Sequence, residues 1–115
     1  SKEREAFGKT IENYQAIQWM IADAATEIEA SRLLTYESAR LKDAGLPYTQ
    51  EAAMAKLFAT RTASEVTRLA MEIVGPEALH EGLGIERRFR EIRVTEIYEG
   101  TSEMQSLVIS RGLLK

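Results

Sequence analysis

Between Asn13 and Asp43 the chain carries neither glycine nor proline, and within that run Ile17, Ile21, Ala24 and Ile28 recur at spacings of four, three and four. Residues so spaced share one face of an α-helix, so the pattern predicts a long helix from about residue 11 to 43. Asp43-Ala44-Gly45-Leu46-Pro47 supplies the stop: Gly45 suits the left-handed conformation at a helix end, and Pro47 cannot continue the helix. A second helix is expected over about 50–74, with Thr49 as N-cap, Glu51 in its first turn, and Leu57, Val66, Leu69 and Ile73 on its apolar face. Three glycines and Pro76 fill the loop from Gly75 to Gly84, and the run IERRFREIRV then predicts a short helix near 85–95. Ser102, followed three residues later by Gln105, has the spacing of a capping box for a last helix over about 102–113 through Met104, Leu107 and Val108. No alternating pattern competes, so no β-sheet is expected. The class read from these signals is all-α, an up-down helical bundle of two long helices and two shorter C-terminal ones.

At 115 residues the chain is one domain, too small for a cofactor domain plus a substrate domain. Hydrophobic residues at 44% and charged residues at 29% describe a folding sequence. Fifteen Lys and Arg against eighteen Asp and Glu leave a net charge of −3, so neither nucleic acid nor an anionic membrane surface is expected as a partner. Zero cysteines exclude disulfides and thiolate chemistry, and with His80 as the single histidine no metal site is expected. A cytoplasmic setting fits the lack of cysteine, and no apolar run approaches the roughly 18 residues of a membrane span. The opening SKEREAF is a strong helix former without an initiating methionine, which predicts a piece of a longer protein. Its first ten residues are expected to be the remnant of a cut helix and a Phe-Gly turn, with Phe7 under apolar cover.

Three separated segments carry a more specific signal. VTEIYEGTSEMQSLVISRGLL resembles the C-terminal signature of the acyl-CoA dehydrogenase family through Tyr98, Glu99, Gly100, Thr101, Ser102, Glu103, Gln105 and Arg111. GIERRFREIRV is similar to the family's Glu-Arg-x-x-Arg-Asp segment through Glu86, Arg87, Arg90 and Glu91, with Glu in place of the usual Asp. EREAFGKTIENYQ resembles its Arg-x-x-Phe-Gly-x-x-Ile motif with a following Gln, through Arg4, Phe7, Gly8, Ile11 and Gln15. The three lie in the family's order and cover essentially the whole chain. One departure stands out: where the family commonly has Gln-x-x-Gly-Gly-x-Gly, this chain has Glu72, Gly75, Pro76 and Ala78. A carboxylate repels a pyrophosphate, and Pro76 has no N–H to offer it.

The resemblance implies the C-terminal helical domain of an FAD-dependent enzyme of fatty acid metabolism, spanning residues 1–115, whose amino-terminal domains lie outside this chain. It implies removal of the α-proton of an acyl-CoA thioester by Glu99 while the β-hydride passes to flavin, giving the trans-2-enoyl-CoA. Tyr98, Glu99, Gly100 and Arg111 are the implied substrate contacts. Arg4, Phe7, Ile11, Gln15, Glu72, Gly75, Thr101 and Glu103 are the implied FAD contacts, several of them across a subunit interface. An electron-transfer flavoprotein-like acceptor and a homo-oligomer, a tetramer for the full-length protein, complete the expectation, and the chain by itself should be inactive.

The chemistry agrees with the residue types. An α-C–H is a weak acid, so its base needs a carboxyl tuned upward by desolvation, against the N-terminal helix dipole that favours the carboxylate. Gly100 leaves room for a thioester to approach the backbone, where an N–H could polarise its carbonyl. Read without the resemblance, a Glu-Gly pair before a helix is only a turn, Thr101 is a cap, Arg4 a surface charge, and Phe7 and Ile11 core. Two alternatives therefore stand: a non-catalytic helical assembly module, and a flavin-dependent relative acting on another substrate.

Overall fold

A computed structural model describes residues 1–115. Two helices dominate it, α1 (Gln15–Asp43) and α2 (Thr49–Val74), packed against each other as an antiparallel hairpin. The turn between them contains Gly45 at φ 69°, the left-handed conformation that stops α1, with Arg40 and Lys42 placed at the negative end of that helix. After α2 the chain makes two 3₁₀ turns, Gly75–Leu79 and Glu81–Leu83. It then forms α3 (Ile85–Ile92), a 3₁₀ turn at Arg93–Glu96, and α4 (Ser102–Leu113). Both α3 and α4 pack on α2, which makes α2 the central strut.

The seam explains why the two long helices approach closely. Half-buried residues on α1 include Ile17, Met20, Ala24, Glu27, Ser31, Leu34, Ser38 and Leu41, alternating three and four residues apart along the whole helix, with Ala30 beside Ser31. That is the stripe of a shallow antiparallel pairing. On α2 the buried residues are Ala53, Ala55 and Thr62, all small. Ile21 and Ile28, which share a helix face with Ile17 and Ala24 by spacing, flank this stripe and remain exposed. Local ion pairs brace the outer surfaces, among them Glu29 with Arg32 at 2.5 Å, Glu37 with Arg40 at 2.7 Å and Glu65 with Arg68 at 2.6 Å.

Several expectations need correcting. α1 begins at Gln15, because Ile11–Asn13 forms a 3₁₀ turn, and the third helix is α-helical only to Ile92 before it tightens. Thr49 is the first helical residue of α2; its N-cap is Tyr48, with no side-chain bond. The cap of α4 is Thr101, whose Oγ1 accepts from the Met104 N–H at 3.3 Å, so the capping function lies one residue before Ser102. The amino terminus is no cut helix, and a two-stranded sheet stands where none was expected: β1 (Glu5–Ala6) and β2 (Lys9–Thr10) pair antiparallel, Glu5 opposite Thr10 and Ala6 opposite Lys9. Phe7 at φ 51° and Gly8 at φ 82° form the two-residue turn, whose twist matches a tight hairpin. Phe7 consequently stands at the tip, 99% exposed, without the apolar cover expected for it.

Only four of 115 residues are buried, and none is a large side chain. The surface of 8282 Å² exceeds the roughly 6300 Å² of a compact monomer of this mass. The radius of gyration, 17.6 Å, compares with about 13 Å for a compact chain of this length. Trp19, Leu33 and Tyr36 on α1 lie open to solvent. No helix is long and apolar enough to cross a membrane.

Candidate functional site

The proposed acid-base residue sits in a short corner between the 3₁₀ turn and α4. The Ile97 and Tyr98 N–H groups both donate to the Val94 carbonyl, at 3.0 and 3.1 Å, closing off the turn. Glu99 then takes φ 55° and Gly100 φ 95°, two successive left-handed residues. For glycine this conformation is free; for a glutamate it costs on the order of 1–2 kcal/mol. Strain of this kind persists only where surrounding contacts over-determine it. Those contacts are present. Lys56 Nζ, from α2, donates to the Gly100 carbonyl, and Gln105 Nε2, from α4, donates to the carbonyls of Glu99 at 3.3 Å and Gly100 at 3.4 Å. No carbonyl of the chain accepts from the Glu99 or Gly100 N–H. The corner thus has its acceptors tied and its donors free, with the Glu99 carboxyl and the Tyr98 ring both exposed beside them.

Thr101 and Glu103 adjoin the corner at the start of α4. The Glu103 carboxyl is held below the usual carboxylate range, first by its own backbone N–H, then by the Thr101 hydroxyl, with the charges of Arg61 and Arg93 adding to it. Arg111 lies in the last turn of α4, about 15 Å along the helix axis from Thr101 at 1.5 Å per residue. The structure therefore groups Tyr98, Glu99, Gly100, Thr101 and Glu103, and leaves Arg111 apart from them.

A second cluster forms at the far end of α2. The Ile11 N–H donates to the Arg4 carbonyl at 2.8 Å, closing the base of the hairpin, and Arg4 Nη1 donates to the Val74 carbonyl at 2.9 Å, docking it on the helix end through one guanidinium. Arg4, Phe7, Ile11, Glu72 and Gly75 line one cavity of about 430 Å³ together with Tyr14 and Ile73. Tyr14 braces the hairpin from below: its hydroxyl donates to the Ala6 carbonyl at 2.5 Å, and Lys9 Nζ stands 4.1 Å from its ring centre. Gln15, the first residue of α1, is exposed and does not line this cavity.

The cavity fits part of a flavin dinucleotide in kind. It offers a guanidinium, apolar walls and, at Gly75, a backbone of φ 76° without a side chain. The Glu72 carboxylate at its edge is paired with Arg68 at 3.0 Å, which offsets the repulsion expected from that substitution. Lys56 is the contributor that sequence reasoning missed, since a lone lysine in an alanine-rich helix carries no pattern of its own. Gln105 was legible as a capping residue, while its bonds run backwards onto the Glu99–Gly100 corner.

The sequence of this chain matches the family model described as acyl-CoA dehydrogenase, C-terminal domain, over residues 1–114. The short-chain specific acyl-CoA dehydrogenase of Clostridium acetobutylicum is 48% identical over 114 residues, which are 99% of this chain and 30% of that protein. The acryloyl-CoA reductase (NADH) of Anaerotignum propionicum is 49% identical over 113 residues, 98% of this chain and 29% of that protein. Among solved structures, a chain from "Electron transferring flavoprotein of Acidaminococcus fermentans: Towards a mechanism of flavin-based electron bifurcation" superposes with a TM-score of 0.96 at 49% identity, covering 100% of this chain and 30% of that one. The chain thus spans about 30% of the length of the curated relatives it matches. With its helices, its Glu99–Gly100 corner and its docked Arg4 hairpin all within the matched residues, the chain belongs to the acyl-CoA dehydrogenase C-terminal domain family.

Proposed function

We propose that this chain is the C-terminal domain of a flavin-dependent acyl-CoA dehydrogenase in which Glu99 removes the α-proton of a short-chain acyl-CoA thioester. The observation that carries the reading is the corner itself: a glutamate held in a costly left-handed conformation, with two backbone N–H groups beside it unengaged by the chain. FAD, bound by the whole protein, supplies the acceptor for the β-hydrogen and its electron pair. Glu99 takes the α-proton, and the Glu99 N–H polarises the thioester carbonyl so that charge developing on the oxygen is stabilised. Gly100, lacking a side chain, leaves the space that the Gln105 amide occupies beside the corner, and Tyr98 borders the thioester's approach to that N–H. Short-chain specificity is drawn from the Clostridium acetobutylicum relative, and an electron-transfer flavoprotein as acceptor from the Acidaminococcus fermentans neighbour.

Arg4, Phe7, Ile11 and Gly75 hold FAD through the second cluster. Val74 and Lys56 are 18 positions apart on α2, about 27 Å of helix at 1.5 Å per residue. A flavin ring within reach of Glu99 is therefore beyond reach of Arg4. The two clusters of one copy serve two different flavins, which makes a homo-oligomer part of the reading and leaves the isolated chain inactive.

The acryloyl-CoA reductase relative favours a second reading, the same site run in the reducing direction, with Glu99 returning the α-proton. Glu99→Gln in the full-length protein tests both. The amide keeps the shape and cannot exchange the proton, so flavin bleaching by butyryl-CoA under anaerobic conditions should slow by about 10²–10⁴-fold or more. Bleaching at the unmodified rate would place the base outside this chain.

A further inference from the structure

We propose that Lys56 and Gln105 are positioning residues for Glu99, clamping the corner from two different helices so that its carboxyl and the free Gly100 N–H are presented together. This rests on the reading of Glu99 as the α-proton base. Nothing in the residues from Ile97 to Thr101 holds Glu99 left-handed: its own N–H and that of Gly100 have no partner in the chain, and its side chain is exposed. What fixes the corner comes from outside it. The ammonium of Lys56 is a charge-assisted donor to the Gly100 carbonyl, reaching across 44 positions of sequence from α2. Gln105, one turn into α4, spans both carbonyls at 3.3 and 3.4 Å.

The two donors act on adjacent peptide planes. The Glu99 carbonyl shares its peptide plane with the Gly100 N–H, so holding the Glu99 and Gly100 carbonyls fixes the direction of that N–H and anchors the Cα from which the Glu99 side chain leaves. Gly100 is part of the device, because a Cβ there would meet Gln105 Nε2 at 2.5 Å and close the space the amide occupies. With Lys56 removed, a single neutral amide at long hydrogen-bond distance would hold two left-handed residues, and the corner would sample orientations in which the carboxyl misses the α-carbon. Misplacement on the scale of 1 Å is enough to cost about 10²-fold.

A purely structural role would tie α2 to α4 and change stability alone, so the test reads chemistry. In the full-length flavin-loaded protein, Lys56→Met and Gln105→Met are compared with Glu99→Gln by anaerobic stopped-flow with butyryl-CoA and α-deuterated butyryl-CoA. We expect the limiting rate of flavin bleaching to fall by about 10- to 100-fold in Lys56→Met. Acyl-CoA affinity should stay within about twofold, because the lysine touches the backbone and not the ligand. The α-deuterium isotope effect should rise, since proton removal becomes more rate-limiting, and Lys56→Arg should recover much of the rate. Gln105→Met should show the same pattern more weakly, and it carries the test if Lys56→Met does not accumulate as holoenzyme. Unchanged rates and isotope effects in both methionine variants, beside an inactive Glu99→Gln, would overturn the clamp and leave the base in place. A fully active Glu99→Gln would overturn both.

Discussion

Arg4, immediately before β1, donates through Nη1 to the carbonyl oxygen of Val74, seventy positions away, at 2.9 Å. That bond is what joins the amino-terminal hairpin to the end of α2, and Gly75 makes it possible. A Cβ at Gly75 would lie 2.6 Å from Arg4 Nη1, at a backbone φ of 76° that an L side chain rarely adopts.

Gly75→Ala should therefore act twice. The backbone strain lowers folding stability by about 1–2 kcal/mol. Displacing the guanidinium also removes a cation from the proposed FAD cavity, which by the worth of a charged hydrogen bond weakens flavin binding by about tenfold or more. Thermal denaturation of the full-length apoprotein reads the first effect, and flavin release followed by fluorescence reads the second. A variant that melts lower yet holds FAD as tightly would separate Arg4 from the flavin.

Glu99→Gly offers the opposite sign. Relieving φ 55° at a glutamate should raise stability by about 1 kcal/mol. Activity should disappear with the carboxyl. A stabler and inactive protein, measured by chemical denaturation beside turnover, is the expected outcome, whereas a destabilised one would show that the Glu99 side chain carries packing of its own.

The helices were legible because each rests on a local rule that nothing tertiary overrides: the Gly45-Pro47 stop, the uninterrupted apolar spacing of α1, the alanine-rich run of α2. The hairpin was hidden because its strands are two residues long, too short for any period, and its turn puts a phenylalanine left-handed where sequence favours asparagine or glycine. Ile21 and Ile28 misled for a different reason. They share a face with Ile17 by spacing, yet the stripe against α2 turns through Met20, Glu27, Ser31 and Leu34 and leaves them at its flank. The motif residues around Glu99 were found from the family resemblance; that Lys56 reaches them from α2 is a fact of tertiary approach, with no trace in the local sequence.

Self-association of the isolated chain should follow from the open face of α1. Trp19, Ile21, Ile28, Leu33 and Tyr36 are large apolar side chains left open to solvent around the sides of α1 away from α2. Sedimentation velocity should show a weight-average mass that rises with concentration. A monomer at the highest soluble concentration would contradict this.

Acid should loosen the helices, while neutral pH should not. The carboxyls of Glu37 and Glu65 lie below the usual range, chiefly through hydrogen bonds from Arg40 and Arg68, and that of Glu103 through its own backbone N–H. A folded-state value below the unfolded 4.5 means the folded chain binds fewer protons, so this stabilisation is complete above 4.5 and is lost as pH falls through the folded values. Helicity by circular dichroism should hold from neutrality to mildly acidic pH and then decline. Added salt should shrink the effect, because these pairs are exposed and screened.

The thin seam between α1 and α2 also has a calorimetric consequence. Unfolding absorbs heat capacity in proportion to the apolar surface it newly wets, about 12–15 cal/mol/K per residue in ordinary domains. A chain whose tryptophan is already 61% exposed has little left to wet. Its increment should fall well below that range, its denaturant slope should be shallow, and its melting broad. If the proposed homo-oligomer melts more sharply, that sharpness would be a property of surfaces that meet this chain from outside.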